Sequence, residues 1–441
     1  MGRGYKQSLS GVTMYAMYDI AIIGAGPGGY VAAIRAAQLG AKVVLIEKEA
    51  VGGVCLNWGC IPSKAIISCA DKYNEAKKLS KYGIKAENVT FNYREVFDRK
   101  QQIVEKLQKS LTRLIKSKNV ELVKGEAVIE TNNSLKVNGE IIEFKNLIIA
   151  TGSRTKSLPG LEIDHKYILD SNDILSLQEL PDSVLIVGSG AVGLEWARVF
   201  HSFEKQVTIV EIADRLCPMF DREVSEYIEK LKKRKRIAVY KNTTVDKLDI
   251  KPDIIFLAAG RQPNTKDGKF IKVDNNLRTN ISNIYAIGDV TGIFPLAHVA
   301  SHQGVKAVEH ILLGKEVNIN YNHVPFVVYG KPEIASVGYT EEALITKEIP
   351  YKKSVFPISA VGRAQTDDKT EGFVKILAND KEILGVHIVA EYAGELIQQA
   401  TIAMSNGLSP ENLIETIFPH PTYSEAIHEG FLGIFGEFLH I

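Results

Sequence analysis

Cysteine is scarce in this chain, with four residues in 441, far below the density of a disulfide-stapled secreted scaffold. Net charge is scarce too. Fifty-three lysines and arginines face 52 aspartates and glutamates, leaving +1, which gives no basis for bulk attraction to nucleic acid or to an anionic membrane. No apolar run approaches the roughly 18–20 residues of a membrane-spanning helix. The first 17 residues lack the apolar core and small-residue cleavage site of a secretory signal. With one arginine and no evident amphipathic helix, they also make a poor transit peptide. A loose tail at 1–17 and a cytoplasmic location are expected, with Met17 a natural beginning just before the first strand. What remains, at 45% hydrophobic and 24% charged, is ordinary globular composition in a chain too long for one core. Two or three domains are implied.

Glycine is plentiful, and its placement carries the first positive signal. Tyr18 to Gly29 reads YDIAIIGAGPGG, and Asp182 to Gly193 reads DSVLIVGSGAVG. Each is a β-rich apolar run entering a glycine turn. A helical pattern and a second apolar strand follow, ending at Glu47 in one copy and at Glu211 in the other. In both, 23 residues separate the first glycine from the acid. A strand–GxGxxG–helix–strand–acid unit is a dinucleotide fold. Gly24 and Gly188 permit the tight turn, Gly26 and Gly190 let backbone approach a pyrophosphate, and Gly29 and Gly193 let helix pack on strand. The helix N-terminus offers free N–H groups to the phosphates, and the closing glutamate can accept from ribose hydroxyls.

Further buried strands are expected at Leu147 to Ser153 (LIIATGS), Ile254 to Gly260 (IIFLAAG) and Asn283 to Asp289 (NIYAIGD). Asn74 to Lys118 reads as mostly long charged helix, and Ala297 to Leu313 as another helix. Asn318 to His323 resembles a linker, and alternating strands and helices beyond it point to a third α/β domain. One dinucleotide unit must then interrupt the other. The expected architecture is an α/β chain with a first dinucleotide domain at 18–153 and 275–320, a second at 154–274, and an interface domain at 321–441. The basic run Lys232 to Arg236 (KKRKR) ends a Glu-rich helical pattern and is expected to be a solvated helix end.

Cys55 and Cys60 stand apart from the other two cysteines. They lie in GGVCLNWGCIPSK, Gly52 to Lys64. Zinc is one rival, but it wants four ligands, usually in C-x₂₋₄-C pairs, and no second half is present. Redox chemistry accounts for the pair better. In a regular helix, residues five apart point about 140° away from each other, with about 7.5 Å of rise. A disulfide wants Cα atoms about 4.4–6.8 Å apart. If the two sulfurs meet, the backbone around Asn57, Trp58 and Gly59 must be distorted. Gly59 and Pro62 suit a distortion followed by a helix start, and a helix N-terminus favours a thiolate. Cys69 and Cys217 read as small buried thiols.

This cysteine motif resembles that of the pyridine nucleotide–disulfide oxidoreductases, and its Ile-Pro-Ser-Lys ending is most similar to the dihydrolipoamide dehydrogenase branch. From about Tyr18 the resemblance covers nearly the whole chain. It includes both glycine units, ATGS at 150–153, GRQPN at 260–264, AIGD at 286–289, Val324 to Glu333, and HPTYSE at 420–425. It implies that Cys55 exchanges with a dithiol substrate and that Cys60 lies against a flavin, in a charge-transfer complex. It makes His420 the acid/base, oriented by Glu425, supplied by the other subunit of a homodimer and followed by a cis proline bond. Lys64 and Glu195 would pair beside the flavin, and Asp289 would bind its ribityl and phosphate region. The implied FAD site takes in Gly24, Gly26, Gly29, Glu47, Lys48, Gly53, Val54, Lys64, Ala127, Thr151, Gly152, Ser153, Asp289, Leu296, Ala297 and His298. The NAD site takes in Gly188, Gly190, Ala191, Val192, Gly193, Glu195, Glu211, Val245 and Gly260.

Imidazole titrates near neutrality and a carboxylate five residues on can fix its tautomer, so the acid/base assignment is chemically coherent. A carboxylate at Glu211 accepts from the 2′-hydroxyl of NAD and repels the 2′-phosphate of NADP. Arg215 follows Asp214 and is not expected to be aimed at phosphate. Between Val239 and the strand at Ile254 the chain is shorter than the family pattern. The implied partner is the lipoyl domain of a 2-oxo acid dehydrogenase or glycine cleavage system. Alternatives are a reductase of another low-molecular-weight disulfide and a non-catalytic, redox-sensing scaffold.

Overall fold

The strand Tyr18–Ile23 is apolar and β-branched on both faces, the pattern of a strand covered on both sides. In the computed structural model, which describes residues 17–441, it lies at the centre of a parallel array. Val43–Glu47 pairs on one side of it and Glu140–Ile149 on the other. Glu121–Lys124 adds outside Val43–Glu47. Two short strands, Ala127–Thr131 and Ser134–Val137, form an antiparallel meander into Glu140–Ile149. The expected tail lies, Met17 apart, outside the described residues.

Helix α1, Pro27–Gln38, follows the first glycine turn, with Gly26 as its N-cap and Pro27 presetting the first turn. Next come α2, Gly53–Trp58, and α3, Cys60–Ala76. The segment from Asn74 to Lys118 is mostly helix, as expected, but in separate pieces. After α3 come a 3-10 turn, Leu79–Tyr82, and a loop, and only then α4, Tyr93–Ser117. Asn92 sets that start, its side chain accepting from Arg94 N at 3.0 Å.

The second unit repeats the plan. Ser183–Val187 pairs in parallel with Gln206–Val210 and Ile254–Leu257, flanked by Ala238–Tyr240 and Ile168–Leu169. Helix α5, Ala191–Ser202, follows the second glycine turn, and α6, Arg222–Arg234, comes before the edge strand. Between Ala238–Tyr240 and Ile254–Leu257 there is a single 3-10 turn, Val245–Lys247. The basic run at the end of α6 departs from its expected solvation. Lys233, Arg234 and Arg236 are exposed, but Lys232 is buried. It stands four residues after Ile228 and eight after Val224, on the helix face that packs inward.

The chain then returns to the first sheet, where Ile284–Ala286 pairs with Glu140–Ile149. Helix α7, Ala297–Leu313, packs across α1. The third unit is an antiparallel five-stranded sheet in the order Phe326–Val328, Glu333–Gly338, Ile383–Ala390, Phe373–Ala378, Lys352–Pro357. Helices α8, Ala393–Ser405, and α9, Glu425–Ile434, cover it. No described helix is long and apolar enough to cross a membrane.

The α1–α7 contact depends on absent side chains. A Cβ on Gly304 would stand 2.6 Å from Gly28 O. Gly304→Ala should therefore push the helices apart and cost about 1–3 kcal/mol of stability, read as a lower urea midpoint.

Candidate active site

Helix α2 stops at Trp58 because Gly59 takes φ −149°, ψ −111° before α3 begins at Cys60. A Cβ on Gly59 would stand 3.0 Å from Val54 O. Asn57 braces the break, donating to Val51 O at 3.1 Å and Gly53 O at 2.9 Å, and accepting from Gln108 of α4 at 3.2 Å. The interruption turns Cys55 and Cys60 together. Both are free thiols, and a hydrogen bond joins their sulfurs. That bond divides their acidities. It holds Cys60 down at about 7 against the opposing effect of burial, with the Lys64 charge assisting. The same bond, with burial, drives Cys55 far up. The reduced pair therefore carries its proton on Cys55 and its thiolate on Cys60, at the first residue of α3.

Lys64, one turn along α3, donates to Glu195 Oε2 of α5 at 2.8 Å. Glu195 is 5% exposed. Its other oxygen accepts from the backbone N–H of Tyr329 at 3.1 Å, and the Tyr329 ring lies 4.4 Å from Lys64 Nζ. One residue from each of the three units thus meets on α3, the helix that begins at Cys60.

The two glycine turns share one geometry. A Cβ on Gly29 would fall 1.8 Å from Gly24 O, and one on Gly193 2.0 Å from Gly188 O. Gly24 and Gly188, both at positive φ, approach Ala150 O and Ala258 O as closely as only glycine can. A Cβ on Gly190 would meet nothing within 4 Å, and one on Gly26 only Gly53 Cα, at 4.0 Å. Backbone there faces open space, as a pyrophosphate requires. Glu47 accepts from Ala25 N at 2.7 Å and from Glu49 N at 2.8 Å. Glu211 accepts from Ser189 N at 2.8 Å, Ser189 Oγ at 2.6 Å and Ala213 N at 2.9 Å. Each carboxylate retains lone pairs for a ribose. Arg215 turns away from Glu211, to Glu342 and to Pro218 O. Ala191 and Val192 form the first turn of α5, and Val245 packs with Val210 and Leu257 at the sheet edge.

Three motifs distant in sequence converge beside the first turn. Ser153 Oγ donates to Asp289 Oδ2 at 2.5 Å, and Arg261 donates to Ser153 Oγ and O, both at 2.6 Å. Asn264 secures Thr151 O at 2.9 Å and Gly152 O at 3.0 Å. The Thr151 hydroxyl oxygen is buried without a hydrogen-bond partner. A flavin dinucleotide along these residues would give that orphan a partner, so the donor set fits FAD. Gly260 begins the strand pairing of this corner, at φ +100°. Leu296 caps α7, Ala297 opens it, and His298 Nε2 lies 3.0 Å from Pro325 O. Gly53 backs onto Gly26, with Val54 next in α2. Lys48 lies 3.8 Å from Glu126, one residue before Ala127.

His420 is on the far unit. Its Nδ1 is 2.8 Å from Glu425 Oε1, while Glu425 Oε2 accepts from Thr422 N at 2.8 Å. Partial burial opposes it, but these bonds hold the Glu425 carboxyl below its usual range. The His420–Pro421 bond is cis, and the imidazole side chain is 76% exposed. Among the described residues of one chain, no hydrogen bond or ion pair joins His420 to Cys55 or Cys60. Sequence reasoning missed Tyr329, Arg261 and Gln108 as individuals, and it placed Asn57 at the distortion without its bracing role. Tyr329 and Arg261 lie inside motifs read as blocks, and Asn57 inside the cysteine motif. Gln108 gave no signal, because its partner is 51 residues away.

In the reduced holoenzyme, alkylation of Cys60 should accelerate with rising pH through a midpoint at about 7. Lys64→Met, which deletes the charge favouring the thiolate, should move that midpoint upward. Iodoacetamide kinetics with mass-spectrometric assignment of the modified cysteine would show it.

Comparison with known proteins bears on this geometry. The profile described as pyridine nucleotide-disulphide oxidoreductase matches residues 18–304, and the dimerisation domain of the same name matches residues 324–431. A dihydrolipoyl dehydrogenase of Bacillus subtilis is 38% identical, with 97% of this chain and all of that one aligned. A mitochondrial dihydrolipoyl dehydrogenase of Pisum sativum is 39% identical over 96% of this chain and 92% of its own. Among solved structures, LpdA from Mycobacterium tuberculosis superposes with a TM-score of 0.88 at 26% identity, covering 94% of this chain and 99% of that one. The flavoprotein disulfide reductase RclA of Escherichia coli gives 0.84 at 27% identity, covering 94% and 99%. The paired dinucleotide cradles, the interrupted helix with its two thiols and the dimerisation sheet thus belong together: the chain is a member of the pyridine nucleotide-disulphide oxidoreductase family.

Proposed function

We propose that this protein is a dihydrolipoamide dehydrogenase, oxidising dihydrolipoyl groups to the disulfide and reducing NAD. The observation that carries the reading is the interrupted helix that brings Cys55 and Cys60 together as free thiols beside the Lys64–Glu195 pair, between two dinucleotide cradles. Within the pair, acidity is raised at Cys60 and lowered at Cys55. An exchanging thiol and an electron-donating thiolate need those different states. The relatives named dihydrolipoyl dehydrogenase support the substrate.

The cycle begins with the pair oxidised. A substrate thiolate attacks Cys55 Sγ, the Cys55–Cys60 bond breaks, and Cys60 leaves as thiolate. The second substrate sulfur then attacks the mixed disulfide, closes the lipoyl ring and releases Cys55. His420, held by Glu425, accepts the proton that each attacking thiol must lose and returns one to Cys55. FAD, when bound, would supply the two-electron chemistry between the dithiol and NAD, with the Cys55–Cys60 bond re-formed and the Cys55 proton released. Gly24, Gly26, Gly29, Glu47, Thr151, Ser153 and Asp289 are the residues to hold FAD. Lys64 and Glu195 fix the approach of the two redox partners by joining α3 to α5. Glu211 selects NAD, since its carboxylate would repel a 2′-phosphate and no free guanidinium stands beside it.

His420 is exposed and unconnected to the cysteines of its own chain, so the complete site takes it from the second copy of a homodimer. The dithiol arm would be presented by a lipoyl domain of a 2-oxo acid dehydrogenase or glycine cleavage system.

One equivalent of dihydrolipoamide, added without air to the yellow holoenzyme, should produce a long-wavelength absorption band that Cys60→Ser lacks. A band persisting in that variant would refute the assignment of Cys60. His420→Ala should lower kcat by about 10²–10⁴-fold. Refolded mixtures of His420→Ala and Cys55→Ser chains should regain activity, because a mixed dimer holds one intact site. Mixtures as inactive as their parents would place both groups in one chain.

A further inference from the structure

A cleft of about 1470 Å³ opens between α3, α5, α6 and the antiparallel sheet, meeting the proposed redox site at Lys64 and Tyr329. Its wall is strongly basic. Lys232 and Lys235 at the end of α6, His201 of α5 and Lys78 after α3 all line it. Most of the cleft's carboxylates are paired with cations of the same wall, Asp71 with Arg198, Glu204 with Lys77, Glu75 with Lys331 and Glu391 with Lys369, while Glu371 pairs with Arg234 outside it.

Lys232 is the exception in this wall. It is 7% exposed, and among the described residues it has no hydrogen-bond or ion-pair partner. Lys235 has only a carbonyl, Lys331 O at 3.0 Å. Arg198 is fully engaged, bonding Asp71 and also Tyr329 O and Gly330 O at 2.9 and 2.8 Å. Withdrawing an unpaired ammonium from water is costly, and placing a second beside it adds repulsion. Both effects register in their acidities. Burial and the neighbouring Lys235 charge push Lys232 down to about 7. Burial, with Arg198 and Lys78, pushes Lys235 down to about 8 against the opposing charge of Glu371. Burial and the two lysines also lower His201.

We propose that this cleft binds a phosphate-bearing anion, held by the ammonium groups of Lys232 and Lys235 with His201 beside them. The chemistry selects the ligand class. Two ammonium groups on flexible stems match a compact multivalent oxyanion, which several donors can share. A monocarboxylate would leave one buried positive charge uncompensated. The two guanidiniums that line the cleft are already engaged, Arg198 by Asp71 and two carbonyls and Arg363 by Asp367, so neither is free for bidentate carboxylate recognition. The site is separate from both glycine turns, which use backbone N–H groups rather than lysines.

The test uses the FAD-loaded enzyme with NAD present in saturating amount, so that neither dinucleotide cradle is open to the probe. Inorganic phosphate and ADP are titrated calorimetrically at fixed ionic strength. At least one should bind, and Lys232→Met should weaken it by about ten-fold or more while leaving dihydrolipoamide turnover unchanged. Preference for phosphate identifies a free anion, and preference for ADP a nucleotide. Lys232→Met should also melt at a higher temperature than the parent in phosphate-free buffer, because a buried unpaired charge is gone. Lys235→Met provides a second variant that should weaken the same ligand. No binding to the parent enzyme, or binding that survives both substitutions, would overturn the proposal.

Discussion

The contact between Lys64 and Glu195 is the constraint on which the rest depends. It ties the helix that carries Cys60 to the helix that opens the second dinucleotide turn. The second oxygen of Glu195 holds the chain at Tyr329, where the third unit begins. A nearly buried carboxylate with an ammonium on one side and a peptide N–H on the other has little freedom. Three further bonds repeat the three-way tie one turn along α5: Arg198 reaches Asp71 of α3 and the carbonyls of Tyr329 and Gly330. Redox partners bound in separate units keep a fixed separation only if those units do.

A second buried charge cluster does similar work further out. Lys375, fully buried in the antiparallel sheet, donates to Asp221 at 2.8 Å and to Glu341 at 2.6 Å. Asp221 is the N-cap of α6, so this cluster pins the second unit to the third. Such a pair adds little net stability over an apolar contact of equal volume, but a misaligned one is severely penalised. It therefore fixes orientation more than it stabilises, as an inter-unit electron path requires.

Much of the fold was legible because it rests on local rules that allow few exceptions. The glycines of both turns sit where a Cβ would collide with backbone, so the spacing in sequence was a direct image of the steric constraint. The distortion at Gly59 was legible for the same reason. What stayed hidden depends on partners far away in the chain. The mostly helical segment from Asn74 breaks after Ala76, and its charged composition gave no sign of where. Lys232 looked like one of five solvated charges, and only the packing of α6 separates it from Lys233. Tyr329 lies 134 residues from the carboxylate it secures. The outward projection of His420 was implied only by resemblance, since nothing in HPTYSE states which chain it serves.

The matched carboxylate ties of the two glycine turns give each acid a double burden. Glu47 grips the residue after Gly24 and the residue two beyond itself, and Glu211 does the same after Gly188. Each therefore shapes the loop whose backbone would face a pyrophosphate as well as offering oxygens to a ribose. Neither acid can be exchanged to alter sugar preference without also loosening the turn beside it.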